Sequence, residues 1–424
     1  MSASAQHKNR TLWLVGALHA FTHVYQVALM PLYLLIQRDF KFASVAPATS
    51  LVTILMIAYI VPSYGLGVLA DRVNRRKLLG YGLLINALGF VALAFAPNYA
   101  WAVGALIVSG IGGSFYHPAA TAMVARLFPS NTGKALGLTG IGASVGFFAG
   151  PLFAGWRAAS LEPSVGAAAW RQPVLELGLL GVVAAGLFAW LAKDETPPAT
   201  SEAGPTPHSK LFPTTILWLW FFAMAFAFSM RDFTGASMGS LGSLFLQKAH
   251  GYGAELAGLT LSGLFLASAV SNPLFGSLSD RGRKRWTALV LLVAAGLVAV
   301  FPHVPTAWTI PAYLVYGFFF MASYPMVEAA LMQSVPDAVR GRVFGLFITV
   351  GGLIGNLSHW IVGNEVKRMG DAAHEPASYF TLYGALAGLL VASLLGLPCL
   401  HAIRKREHLD DDLKSEVRSP KSER

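Results

Sequence analysis

Apolar residues in this chain do not alternate with polar ones. They gather into long uninterrupted runs separated by short polar or glycine- and proline-rich stretches. Runs of about 20 residues match the length of a helix that crosses a bilayer, and they are far longer than the ten-residue alternating segments of a membrane barrel. Twelve such runs predict helices at 12–36, 48–70, 78–96, 99–127, 135–157 and 174–192, then at 214–246, 255–278, 286–302, 308–334, 341–365 and 378–402. The first run has no small-residue cleavage site behind it and reads as a retained span. Backbone in hydrocarbon must satisfy its own hydrogen bonds, so the prediction is an all-α polytopic membrane protein.

The runs repeat as a set of six. Gly67, Asp71, Arg72, Arg75, Arg76 and Lys77, which close the second run, return as Gly276, Asp280, Arg281, Arg283, Lys284 and Arg285 after the eighth. A second echo pairs Phe128, Pro129, Gly133 and Lys134 with Val335, Pro336, Gly341 and Arg342, one residue longer. Such duplication marks two pseudo-symmetric six-helix halves and is a habit of secondary transporters. The expected division is an N-terminal half at 1–192, a proline-rich cytoplasmic linker at 193–213, a C-terminal half at 214–403 and a disordered cytoplasmic tail at 404–424.

Composition agrees: 55% of the 424 residues are hydrophobic and 12% charged, so most of the chain is solvated by lipid. The single cysteine, Cys399, excludes an internal disulfide and a cysteine metal cluster. The net charge of +10 would suit a nucleic-acid partner, but its distribution says otherwise. If both ends are cytoplasmic, only Arg38, Lys41, Arg157, Arg171, Lys248, Lys367 and Arg368 of the 31 basic residues fall on the opposite side, and Arg231 lies within a span. That asymmetry predicts a cytoplasmic (inner) membrane protein with both termini inside, its basic residues serving as topology anchors and contacts to membrane lipids.

Ionisable side chains at bilayer depth are costly and therefore default to functional candidates. On the first helix His19, His23, Gln26 and Met30 recur at helical spacing and form one polar stripe. A histidine changes charge near neutral pH, so either is a proton-coupling candidate, against the alternative that both are neutral and hydrogen-bonded. On the seventh helix Arg231 and Asp232 stand in mid-span, ahead of a stretch containing Gly235, Gly239 and Gly242. Neighbours on a helix lie about 100° apart, so each is expected to reach a separate partner, a first-helix histidine in the case of Asp232. Asp232 is the leading proton carrier, Glu328 on the tenth helix the runner-up, and Arg231 a substrate or counter-ion group; a purely structural ion pair is the alternative. His117, beside Pro118 in the fourth helix, echoes Tyr324 and Pro325 in the tenth, where broken helices would free carbonyls near a binding site. Gln26, Tyr116, Tyr324, and Asn356 with His359 on the eleventh helix complete the cavity candidates, and Tyr25, Tyr116 and Tyr324 would stack on the apolar part of a solute. Such a lining suits an anionic or amphipathic compound. No H-E-x-x-H, P-loop or G-x-S-x-G motif points to an enzyme, and no metal or other cofactor is expected.

Taken together, these motifs resemble the major facilitator superfamily over essentially the whole chain. Gly67, Asp71, Arg72, Arg76 and Lys77 match its G-x3-D-R-x-G-x-R-R/K signature, with Asn74 in place of the second glycine as the next-best residue for a left-handed turn. The resemblance implies a conformational latch formed by these residues with Asp280 and Arg281; topology anchoring alone is the plainer alternative. Gly146, Gly150 and Gly155, read as lying close to one helix face, resemble together with Pro151 a signature found mostly in the superfamily's exporters, and ordinary small-residue packing explains them nearly as well. His19, His23, Tyr25, Gln26 and Pro31, with Phe115, Tyr116, His117 and Pro118, resemble its fosmidomycin-resistance branch. The resemblance implies a monomeric, proton-coupled exporter of small antibacterials that works by alternating access. Uptake symport of an organic anion, and a sensor or scaffold without flux, remain the competing readings.

Overall fold

The computed structural model describes residues 3–70, 73–128, 132–192, 211–279, 282–335 and 339–405. Among them there is no strand. The helices are α1 (Ala3–Val27), α2 (Tyr33–Asp39), α3 (Ala46–Ile60), α4 (Ser63–Ala70), α5 (Arg75–Ala94), α6 (Tyr99–Ser114), α7 (Tyr116–Leu127), α8 (Thr132–Val165), α9 (Arg171–Leu191), α10 (Thr215–Lys248), α11 (Ala254–Leu266), α12 (Ser268–Ser279), α13 (Arg283–Val300), α14 (Thr309–Met332), α15 (Arg340–Met369) and α16 (Phe380–Ala392). Joined end to end where they are only interrupted, they make twelve spans, the last of which runs on to Lys405.

Several spans are broken where proline dictates. Pro31, Pro62 and Pro118 lack the N–H that would continue the ladder and crowd the carbonyl four residues back, and the helices part at Val27, Ile60 and Ser114. Pro151, Pro163 and Pro325 instead lie inside continuous helices. The expected symmetry between His117-Pro118 and Tyr324-Pro325 therefore does not hold at the backbone, since only the fourth span is interrupted. Several spans outrun their predicted ends, α8 reaching Val165 and α15 Met369, while the first starts at Ala3.

Helix packing repeats between the halves. In the first, α1 lies on α8, α3 on α6 and α5 on α9; in the second, α10 lies on α15, α11 on α14 and α13 on α16. The halves meet along two reciprocal seams, α8 against α11 and α3 against α15. An even number of spans puts both chain ends on one face, here the chain-end face, and the loops around Arg38, Arg171 and Lys248 on the far face.

Part of the expected linker is packed: Phe212 is buried against Trp218 and Phe221 of α10. Residues 193–210, and the tail beyond Lys405, lie outside the described residues. So do Asp71, Arg72, Asp280 and Arg281 of the expected latch. Of its other members, Gly67 lies in α4, Lys77 is exposed in the first turn of α5, and the Arg76 guanidinium donates to the carbonyl of Ala189 at the open C-terminal end of α9. Asn74 is not left-handed as expected. Its backbone is extended (φ −62°, ψ 114°) and its side chain caps α5 by accepting from the Lys77 N–H at 3.0 Å, whereas Gly282, at the start of α13, does adopt φ 119°.

Candidate functional site in the bundle interior

Two polar clusters occupy mid-span positions, one in each half. The first is built on α1 and α7. Four-residue spacing stacks His19 and His23 on one face of α1, where the His23 Nε2 lies 3.1 Å from the His19 Nε2. Each ring is held from behind: the His19 Nδ1–H donates to the Thr139 carbonyl of α8 at 2.9 Å, and the His23 Nδ1 bonds the Gln26 Oε1 at 2.9 Å. Tyr116 stacks on His19 with centroids 4.5 Å apart, its hydroxyl tied to the Val15 carbonyl. His117 approaches both histidines, at 5.2 Å from His19 and 5.8 Å from His23. It is exposed although it sits among these rings, so it faces the space between helices. Phe147 of α8 stacks on His23 at 4.1 Å and on Phe265 of α11 at 4.7 Å, closing the cluster against the other half.

The second cluster is on α10 and α14. Arg231 donates from Nε (3.0 Å) and Nη2 (2.8 Å) to a single oxygen of its neighbour Asp232. The guanidinium is 1% exposed and the carboxylate 19%. Tyr324 covers the guanidinium, ring centroid 4.0 Å away, and Phe228 approaches at 5.5 Å. Glu328, half-buried one turn beyond Tyr324, is within electrostatic reach of both Arg231 and Asp232. Gly351 and Gly355 of α15 leave room for the Asp232 side chain.

This geometry corrects three expectations. Asp232 pairs with Arg231 and not with a first-helix histidine, because the long guanidinium folds back along the helix onto its neighbour's carboxylate. Tyr25 is buried away from the interior, donating to the Leu177 carbonyl of α9 at 3.0 Å. Asn356 and His359 bond within a chain that bridges the halves and to neither cluster. His359 is buried, and a directional chain runs from the Tyr33 hydroxyl to Ser240 Oγ (2.8 Å), from Ser240 to His359 Nδ1 (2.6 Å) and from His359 Nε2 to Asn356 Oδ1 (3.3 Å). With Thr53, which donates to the Asn356 carbonyl and accepts from the Trp360 N–H, each at 3.0 Å, this chain ties α2 and α3 of one half to α10 and α15 of the other.

The glycine motif also divides. A Cβ on Gly146 would collide with the Ala20 carbonyl of α1, and one on Gly150 would crowd Val24 and Val27. Gly155 faces the Ala254 carbonyl and Gly258 of α11 instead, and the Pro151 carbonyl approaches the same glycine. Nine residues at 100° each put Gly155 opposite Gly146, so the motif serves one seam within a half and one between halves. Sequence reasoning missed Tyr59, whose ring meets His117 edge-on at 6.2 Å, and the Phe147–Phe265 stack. Nothing about an aromatic in an apolar run distinguishes a cavity wall from core.

The sequence model of the Major Facilitator Superfamily matches residues 12–358. The chain belongs to that superfamily. Among its relatives are the multi-drug resistance efflux pump PmrA of Streptococcus pneumoniae (28% identical over 317 residues, 70% of this chain and 75% of the relative) and the fosmidomycin resistance protein of Escherichia coli (23% over 373 residues, 85% and 88%). A bacterial homologue of the human lysosomal transporter Spinster, solved in an inward-facing, unoccupied conformation, shares the fold with a TM-score of 0.76 at 16% identity, covering 96% of this chain and 98% of that one. The family and fold are those of transporters, and those of a polytopic integral membrane protein.

Proposed function

We propose that this facilitator protein is a proton-coupled exporter of small amphipathic or anionic antibacterials, working by alternating access as the halves at 1–192 and 214–403 rock about the interior clusters. The observation that carries the reading is the charge set of the second cluster, one guanidinium beside two carboxylates at bilayer depth. With both acids ionised it bears one uncompensated negative charge. A single proton on Glu328 or Asp232 neutralises it while Arg231 keeps a partner, so the cluster can load and release one proton. The Asp232 Oδ1 is committed to two charge-assisted bonds from Arg231, which moves Glu328 ahead of it as carrier. Similarity to a multidrug efflux pump and a fosmidomycin resistance protein supports export.

The orientation is the one with the chain-end face cytoplasmic in the inner membrane and the protein acting as a monomer. In its support, Arg38, Arg157, Arg171 and Arg368 on the far face are each neutralised by a carboxylate, Glu162, Glu176, Asp39 and Glu365.

The test is drug susceptibility in an efflux-deficient bacterium, across phosphonate and amphipathic antibacterials, followed by transport in proteoliposomes. Glu328→Gln is expected to abolish pH-driven flux while sparing substrate exchange at equal pH on both sides. Sensitisation in place of resistance would reverse the direction to uptake. Undiminished pH-driven flux in both Glu328→Gln and Asp232→Asn would remove the cluster from coupling.

A further inference from the structure

The proton-carrying role falls to the second half and leaves the histidines of the first without a task. Their geometry is unusual. A carbonyl only accepts, so His19 must carry its proton on Nδ1 toward Thr139, and His23 facing the Gln26 oxygen must do the same. In neutral rings both Nε2 atoms are then bare lone pairs, and they point at each other across 3.1 Å. Two acceptors at that distance need a proton or a metal cation between them. Turning the Gln26 amide over would relieve the pair with a bond from the His23 Nε2–H, but it would not explain the third imidazole.

His117 brings that third nitrogen, all three donor atoms lying within 4.8 Å of one another. Two imidazoles on a tetrahedral zinc sit ~3.3 Å apart, from metal–nitrogen bonds of about 2.0–2.1 Å. The His19–His23 pair already has that separation, and His117, exposed and without a hydrogen bond among the described residues, closes the remaining gap by rotating its ring. Bonds from Nδ1 to a backbone carbonyl and to an amide oxygen are the supports that fix the tautomer and aim of metal-bound histidines. Beside the site, Tyr59 packs edge-on against His117 with ring centroids 6.2 Å apart.

We propose that His19, His23 and His117 form a tri-histidine site for one divalent cation of borderline softness, Zn²⁺ or its Co²⁺ and Ni²⁺ analogues, reached from the space between the halves. Neutral imidazoles suit that class and not Mg²⁺ or Ca²⁺, which take oxygen. An occupant would pin α1 to α7 and hold the first half in one arrangement. The inference stands apart from the export reading and is tested on purified protein without any transport assay.

The full chain, in detergent and carrying no affinity-tag histidines, is titrated with Co²⁺. Expected are one Co²⁺ per chain with the intense visible absorption of tetrahedral coordination, displacement by Zn²⁺ but not by Mg²⁺, and at least tenfold weaker binding in His117→Gln. The double variant His23→Gln/His117→Gln should lose the spectrum. His117→Gln removes no hydrogen bond, so its apo melting temperature and monodisperse elution should match the parent and certify the fold. Absence of a tetrahedral spectrum at saturating Co²⁺, or a spectrum unchanged by His117→Gln, overturns the site.

Discussion

Arg231 shows how burial dictates partnership. A guanidinium cannot shed its proton, and at 1% exposure it must find an anion, so it doubles back onto the residue next to it. Helical geometry argued for separate partners because it places neighbouring Cβ atoms on different faces; it could not show that a six-bond side chain spans that offset. The same pairing yields an asymmetric prediction. Arg231→Leu leaves Asp232 partly buried without a counter-charge and should cost on the order of 3 kcal/mol, while Arg231→Leu/Asp232→Leu should recover most of the loss. Thermal unfolding in detergent with a denaturant series measures both. A double variant no more stable than the single would mean that the pair is held for packing with Tyr324 and not for charge. Isolated polar residues in apolar runs were the legible part of the site: His19, His23, His117, Arg231, Asp232 and Glu328 all lie in the two clusters. Which of them touch was illegible, because contact depends on rotamers and on backbone breaks such as the one at Phe115.

At the scale of elements, α8 carries most of the packing logic. Its glycines let the α1 backbone approach until carbonyls fill the space where side chains would be. Gly146→Val would drive two methyls into the Ala20 carbonyl and should cost about 1–3 kcal/mol, with loss of folded yield, by overpacking. Gly137, earlier on the same helix, has open space at its Cβ position and is exposed, so Gly137→Val is the matched control and should melt within about 0.5 kcal/mol of the parent. Equal effects at the two positions would mean that helix propensity outweighs the close approach. The spans and their number were readable from the apolar runs, and the pairing into two sixes from the echoed motifs. Their ends were not, since α8 continues past its apolar window to place Glu162 against Arg38 of α2, and α15 continues to an Arg368–Glu365 pair within its own last turns.

For the whole molecule, the decisive contacts are those between halves on the far face. Tyr33, Ser240 and His359 donate in sequence, ending on the Asn356 Oδ1, the Ser243 hydroxyl adds a bond to the Met30 carbonyl at 2.6 Å, and Thr53 closes the α3–α15 seam. If the halves rock as proposed, this network breaks each time the far face opens. Tyr33→Phe keeps the ring and deletes one bond, worth about 1 kcal/mol, so the far-face-open population should rise about fivefold. Cys399 is the chain's single cysteine, so replacing it gives a clean background for spin labels at Ala43 and Glu255, exposed positions of opposite halves on that face. In the parent the label distance should be short and narrow, and in Tyr33→Phe a longer component should grow. Thr53→Val should act in the same direction but not additively, because Thr53 donates to the carbonyl of Asn356, the residue that ends the Tyr33 chain. A distribution unmoved by either substitution would show that the network adorns a rigid contact, and the pivot of the cycle would have to be sought along the α8–α11 glycine seam, where Gly155 and Gly258 meet backbone to backbone.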